Sequence, residues 1–141
     1  MNKKAILYFL LIALVIFGLS SCVSNKGIDK AHNSKNSLDW SGVYTGTIPA
    51  ADVPGINVRL ILHQDQSFEL SYEYLEKPNA HFYWAGLFTW DRKGNTIFLN
   101  IKDAPPYYKV EENRLIQLDM NGKPISGNFA DSYVLKKNSE K

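Results

Sequence analysis

Histidine and carboxylate side chains are the first candidates for chemistry in this sequence of 141 residues. Two of its three histidines, His63 and His81, stand at the ends of alternating segments, where they could approach each other and share a metal ion. No nucleophile accompanies them in a pattern typical of hydrolases. Two separate, exposed histidines are the favoured interpretation, and the metal pair is the alternative.

The paired carboxylates do not have the geometry of an acid and a base. Glu69 and Glu73 fall on the polar face of an alternating segment, and the neighbours Glu111 and Glu112 would point to opposite sides of a strand. Neither pair can converge on one substrate atom. We therefore predict a protein that is not an enzyme, with no catalytic residue, no metal ligand and no cofactor.

The single cysteine, Cys22, follows a segment with the features of an export signal. A positively charged start leads into an apolar run over residues 5–19, and Leu-Ser-Ser then precedes the cysteine. Residues 19–22 resemble the lipobox of bacterial lipoproteins, in which the cysteine thiol is joined to diacylglycerol and the new N-terminus is acylated. The resemblance implies a signal peptide at 1–21, lipidation of Cys22 and a membrane partner; the alternative is an ordinary signal that leaves a free thiol.

The residues after Cys22 indicate how the anchored chain is arranged. Val23 occupies the position at which an aspartate commonly retains Gram-negative lipoproteins in the inner membrane, so the resemblance implies the outer membrane. Residues 22–37 are rich in Asn, Ser and Lys and carry too few apolar side chains to order themselves. We predict a flexible tether there, a folded domain at 38–138 and a tail at 139–141.

Charge argues against a nucleic-acid partner. The whole sequence has 16 basic and 14 acidic side chains, but Lys3 and Lys4 lie in the export signal, which leaves 14 of each sign from Cys22 onward. A nucleic-acid-binding domain is expected to show a clustered basic face, and no such run is present.

The folded part alternates with a period of two residues, which is typical of half-buried strands. About eight short segments with turn signals between them favour an all-β, antiparallel eight-stranded barrel, although a sandwich would have similar spacing. Pro105 and Pro106 predict that the segment after them is short or an edge strand. The predicted segments are 42–48, 56–63, 67–75, 82–90, 96–101, 107–110, 114–120 and 132–137.

An aromatic face marks the fourth of these segments. Phe82, Trp84, Phe88 and Trp90 alternate on one side, with Gly86 between them at a point where a barrel wall could bend. We expect these side chains to face the barrel interior. Eight strands enclose either a packed core or one small hydrophobic ligand, and solid packing is the favoured interpretation.

The order of several short motifs resembles the N-terminal domain of NlpE-like copper-resistance lipoproteins. The resemblance covers nearly all of the chain after the signal and implies a small lipocalin-like barrel in the bacterial envelope. The matching residues are Asn33-Ser34, 36–40, Gly42, Tyr44, Gly46, the loop 49–55, Ser67 with the strand after it, 86–90 and 133–135.

The chain departs from this family at the loop 49–55, where members usually carry Pro-Cys-Ala-Asp-Cys-Pro-Gly. Here Ala50 and Val53 replace both cysteines, and soft Cu(I) prefers thiolate or thioether ligands. Copper binding and thiol sensing are therefore not expected to carry over. Larger members also have a C-terminal domain, which a sequence ending at Lys141 is expected to lack.

Two functions remain from the sequence. The first, implied by the resemblance, is an outer-membrane lipoprotein that takes part in envelope-stress sensing through a protein partner. The second is a lipocalin-like carrier of a small hydrophobic ligand, suggested by the aromatic face. A filled barrel interior would favour the first.

Overall fold

The computed structural model describes residues 32–139, which form a closed barrel of eight antiparallel strands. Each strand pairs with the next along the chain, and the last pairs with the first. The prediction of an all-β eight-stranded barrel is confirmed. The predicted signal peptide, Cys22 and Val23 lie outside the described residues. The strands are β1 Gly42–Ile48, β2 Ile56–Leu62, β3 Ser67–Tyr74, β4 His81–Trp90, β5 Thr96–Leu99, β6 Tyr107–Glu111, β7 Arg114–Gln117 and β8 Val134–Lys137.

Strand boundaries differ from the sequence prediction mainly after β6. The strand β7 ends at Gln117 instead of Met120, because the Asp119 carboxylate accepts the backbone N–H groups of Asn121 and Lys123 and turns the chain. A 3-10 helix, Ala130–Ser132, then delays the start of β8. The strand β6 is short, as expected after two prolines, but it is not an edge, since it pairs with both β5 and β7.

The barrel interior is filled by the chain's own side chains. Inward positions alternate along every strand and form one hydrophobic cluster. Burial of this apolar surface is the main favourable term for a domain that has no disulfide within residues 32–139. The largest side chains that are exposed by no more than 2% are Tyr44, Val58, Leu60, Leu62, Phe68, Leu70, Phe88, Ile97, Leu99, Tyr108, Leu115 and Leu135.

The two ends of the barrel differ in their connections. At one end, here called the loop end, lie the longer connections 49–55, 75–80, 100–106 and 118–133. At the other end, called the helix end, lie three short turns and the segment that leads into β1. This segment carries α1, Ser34–Ser37, and neither helix in residues 32–139 is long or apolar enough to cross a membrane.

The helix α1 corrects the predicted tether, which was expected to remain flexible through Ser37. Lys35 N–H donates to the Gly94 carbonyl at 2.9 Å, and Ser34 Oγ donates to the Val110 carbonyl at 2.7 Å. Ser34 N–H also reaches Asn95 Oδ1 at 3.0 Å. These polar residues are therefore ordered by hydrogen bonds to the barrel, which needs no apolar burial.

Trp40 closes the helix end of the interior. Its ring meets Phe88 and Trp90 edge-on, with centroids 5.7 and 5.5 Å apart. Its Nε1 donates to the Lys35 carbonyl, and its own carbonyl accepts the Tyr44 hydroxyl at 2.7 Å. Burial, with the negative charge of Asp39 as a second cause, raises the pKa of Tyr44 to about 12. The hydroxyl therefore stays protonated and keeps donating this bond.

Barrel closure brings β8 across β1 at Gly46. A Cβ atom at this position would lie 2.5 Å from the Val134 carbonyl oxygen and 3.0 Å from the Leu135 side chain. The nearest obstacle is backbone, which cannot rotate away. Only a residue without a side chain lets the first and last strands approach this closely.

We expect Gly46→Ala to destabilise the barrel by about 1–3 kcal/mol, the usual cost of overpacking. The free energy of unfolding, measured with urea and Trp fluorescence, checks this. Thr47→Ser is the matched control, because Thr47 is exposed on the same strand and serine keeps a hydroxyl that can donate to Asn57 Oδ1, so stability should change by about 0.5 kcal/mol or less. Equal stability of Gly46→Ala and the parent would show that β8 does not cross so close to β1.

Candidate functional site at the loop end

The loop 49–55 joins β1 to β2 at the loop end of the barrel. The end of this loop next to β2 is fixed by the Leu75 N–H, which donates to the Gly55 carbonyl at 3.0 Å. A groove of about 380 Å³ runs beside the loop, lined by Pro49, Ala50, Ala51, Pro54, Phe129 and Tyr133. The loop therefore forms one wall of a surface depression, and the segment before β8 forms the other.

The two family cysteine positions lie in this loop but bring no thiol to it. Ala50 packs against the hydrophobic cluster, and Val53 is half-buried. Asp52 between them is exposed. Among residues 32–139 no group of three or more His, Cys, Asp or Glu side chains lies close enough to hold a metal ion.

Phe129 forms a wall of the groove that the sequence did not indicate. It is 66% exposed and belongs to the segment between β7 and β8, for which no strand was expected. Its neighbour across the groove, Pro54, is 75 positions earlier in the sequence. A long-range contact of this kind leaves no periodic signal.

A buried polar cluster lies just inside the loop end. Gln117 is 2% exposed, and its Oε1 accepts the hydroxyl of Tyr72 at 3.4 Å and that of Tyr108 at 3.5 Å. The two hydroxyls are also 3.4 Å apart. Gln117 alternates with Leu115 on the inward face of β7, so a polar residue at an inward position was the available sequence signal.

Burial sets the protonation of both tyrosines in the cluster. Desolvation raises the pKa of Tyr108 well above its ordinary value, and contact with Tyr72 raises it further. Burial also raises the pKa of Tyr72, although the hydrogen bond with Tyr108 works in the opposite direction. Both hydroxyls remain neutral near neutral pH, and they act here as structural hydrogen-bonding groups.

The aromatic face of β4 is only partly interior. Phe88 is 1% exposed and belongs to the core, and Trp84 and Trp90 pack against the core while remaining half-buried. Phe82 was expected to face the barrel interior, but it is 49% exposed and lies outside it. The reason is the length of β4, whose first residues extend beyond the short strand β5.

The histidines and carboxylates are dispersed. His63 follows β2 at the helix end and lies 3.3 Å from Glu69, whereas His81 begins β4 at the loop end. The two histidines therefore cannot share a metal ion. Glu111 accepts hydrogen bonds from Lys109 and Arg114, which lower the pKa of its carboxyl and keep it ionised.

This barrel has relatives among known protein families and solved structures. A family model for the NlpE N-terminal domain matches residues 44–128, more than half of the chain. The chain belongs to the NlpE family. The matched residues run from β1 through the loop 49–55 and end just before the 3-10 helix.

Individual relatives agree with this assignment. Lipoprotein NlpE of Escherichia coli K12 is 28% identical over 146 residues, which cover 96% of this chain and 58% of that protein. The crystal structure of a candidate lipoprotein from Shewanella oneidensis is 44% identical with a TM-score of 0.69, covering 77% of this chain and 97% of that one.

The crystal structure of the Cpx pathway activator NlpE from Escherichia coli also matches. It is 25% identical with a TM-score of 0.52, over 62% of this chain and 47% of that one. This chain therefore spans about half to three-fifths of the length of the Escherichia coli protein.

We expect Tyr108→Phe to make the barrel less sensitive to alkali. An unfolded tyrosine loses its proton near pH 10 while the buried Tyr108 keeps it, so above that pH the unfolded state binds fewer protons. The free energy of unfolding of the parent should therefore fall with rising pH, by about 1.4 kcal/mol per pH unit for each such tyrosine.

Urea unfolding between pH 8 and pH 11 measures the effect. Near pH 8 the variant should be about 1 kcal/mol less stable because it loses hydrogen bonds of the cluster. Above pH 10 its stability should fall less steeply than that of the parent. Parallel curves would contradict the buried, protonated state of Tyr108.

Proposed function

We propose that this chain is a lipid-anchored protein of the bacterial envelope that acts by binding a protein partner, without catalysis. The observation that carries the proposal is the filled interior of the barrel, which leaves the outer surface and the loop-end groove for recognition. The twelve large side chains that pack this interior also argue against a carrier of a small hydrophobic ligand.

Membership of the NlpE family supports a role in envelope-stress signalling. The Escherichia coli relative is a Cpx pathway activator, and the match includes the loop that borders the groove. We extend to this chain an activity of the same kind, with a membrane or periplasmic signalling protein as the partner. The partner's contact surface is the groove between Pro54 and Phe129.

Signalling through this groove would not depend on copper or on thiol oxidation. Ala50 and Val53 offer no sulfur, and methyl and isopropyl side chains bind no metal. The loop keeps its prolines and its backbone bond to Leu75, so it retains a defined shape. Shape and apolar contact are then what the partner recognises.

The anchor proposed for this protein is Cys22, and the outer membrane is its proposed location. Three acyl chains would each add about 0.8 kcal/mol for every buried methylene, which is enough for stable attachment. Val23 supports sorting to the outer membrane, because it is not the aspartate that favours retention in the inner membrane.

We expect Cys22→Ser to release the protein from the membrane fraction and to abolish labelling by palmitate. Val23→Asp should keep the label but move the protein from the outer to the inner membrane on a sucrose gradient. Val23→Ala is the matched control and should remain in the outer membrane. Labelling of Cys22→Ser would place the lipid elsewhere.

The signalling role is tested by producing the protein in a bacterium that carries an envelope-stress reporter of the Cpx type. We expect several-fold induction by the parent, and a clearly smaller response to Phe129→Ser. Met120→Ser is the matched control, because Met120 is exposed at the same end but does not line the groove. Addition of copper or of a thiol oxidant should not change the difference between parent and variant.

Two outcomes would count against the proposal. Absence of induction by parent protein that is correctly localised would remove the signalling role. Equal induction by the parent and Phe129→Ser would move the partner's contact away from the groove.

A further inference from the structure

The barrel wall has an open stretch along β4. Residues 81–87 of this strand pair with β3 on one side, but the ladder with β5 includes only Phe88, Thr89 and Trp90. The strand β4 has ten residues and β5 has four, so the neighbour is too short to cover it. Within residues 32–139 the first seven residues of β4 are therefore a sheet edge.

The hydrogen-bonding direction of each residue on this edge follows from the β3 ladder. Phe88 N–H donates to the Gln66 carbonyl at 2.9 Å, and Tyr74 N–H donates to the Ala80 carbonyl at 3.1 Å. Even-numbered residues of β4 therefore direct their backbone groups towards β3. In an antiparallel strand this direction alternates from one residue to the next. Tyr83 and Ala85 therefore direct their N–H and C=O groups away from β3, towards the open edge of the sheet.

The edge carries none of the features that usually prevent strand addition. Residues 81–87 contain no proline, lysine or carboxylate, and His81 is the only titratable side chain besides Tyr83. Tyr83 is 63% exposed and Leu87 is 66% exposed. Ala85 and Gly86 are exposed as well. Another strand can therefore reach the backbone N–H and C=O groups that Tyr83 and Ala85 direct towards the open edge.

We propose that this edge binds the same edge of a second copy of this chain, as an antiparallel β4–β4 pair centred on Trp84. This register places Tyr83 beside Ala85 of the second copy, and their outward N–H and C=O groups bond each other. It also places Phe82 beside Gly86 of the second copy. A large side chain thus meets a small one at each of these pairs, on both faces of the sheet.

A second copy satisfies this edge because the pattern is self-complementary. In a two-fold arrangement every contact occurs twice, so a strand that placed like charges opposite each other would exclude itself. At the centre Trp84 lies opposite Trp84 of the second copy, an aromatic pair of the kind that stabilises antiparallel strands. Here the large residues Phe82 and Tyr83 precede the centre and the small residues Ala85 and Gly86 follow it. No charged residue of this edge lies opposite the same residue of the second copy.

The dimer has a defined geometry. Because the two β4 strands are antiparallel, the barrels lie side by side with the loop end of one next to the helix end of the other. The groove beside Phe129 stays outside the interface, since it is formed by β1, β8 and their connections, away from β4. Dimerisation is therefore independent of the groove contact proposed above.

The oligomeric state of the full chain, purified in detergent, tests the proposal. Sedimentation equilibrium at increasing protein concentration should show a monomer–dimer equilibrium for the parent. Ala85→Lys should raise the dissociation constant of the dimer at least tenfold. It places a charge beside Tyr83 of the second copy and near the same new charge on that copy. Thr89→Lys is the matched control, since Thr89 is exposed on the same strand but paired with β5, and it should dimerise like the parent.

A crosslinking experiment provides a second measurement that does not depend on a destabilising change. Ala85→Cys should be joined to its copy by a short bismaleimide, because these positions lie diagonally across the proposed pair. Thr89→Cys should be crosslinked no more than the parent, whether or not Cys22 is lipidated. Near-UV circular dichroism should show that each variant keeps the aromatic packing of the parent.

A monomeric parent at high micromolar concentration would overturn the proposal. A dimer that Ala85→Lys and Thr89→Lys weaken equally, or crosslinking that favours Thr89→Cys, would overturn it too, because the interface would then lie elsewhere. Loss of reporter induction by Phe129→Ser with an unchanged dimer would support both proposals separately.

Discussion

Closure of a sheet upon itself requires its first and last strands to meet, and in this barrel they meet over a very short ladder. The strands β1 and β8 are in register at only two residue pairs, Tyr44 with Lys137 and Thr45 with Lys136. The close approach at Gly46 makes this contact possible. Without it two strands would have open edges, and Tyr44 and Leu135 would be exposed to water.

Closure has consequences for where the molecule can interact. Trp40 covers the helix end, and the buried cluster of Tyr72, Tyr108 and Gln117 lies within the loop end. An eight-stranded barrel is just wide enough for its side chains to fill, and this one is filled. The outer surface, which includes the loop-end groove and the open stretch of β4, is then what remains available for binding.

The loop 49–55 has a defined shape without any sulfur. Ala50 packs against the core and Gly55 accepts a backbone hydrogen bond from Leu75, so the loop is held from both sides without a disulfide. Ala50 and Val53 supply no soft-metal ligand, and none of these contacts requires a thiol. The other wall of the groove beside the loop, Phe129, comes from a distant segment.

Alternation of apolar and polar residues was enough to predict eight strands, and the residue types alone show that the loop 49–55 contains no sulfur, because these are properties of neighbouring residues. Tertiary structure decided the rest. Ser34 is ordered by a residue 61 positions away, Phe82 is exposed because β5 ends too early to cover it, and Phe129 lines the same groove as Pro54. Such contacts depend on which segments become neighbours when the barrel closes, and local periodicity carries no information about that.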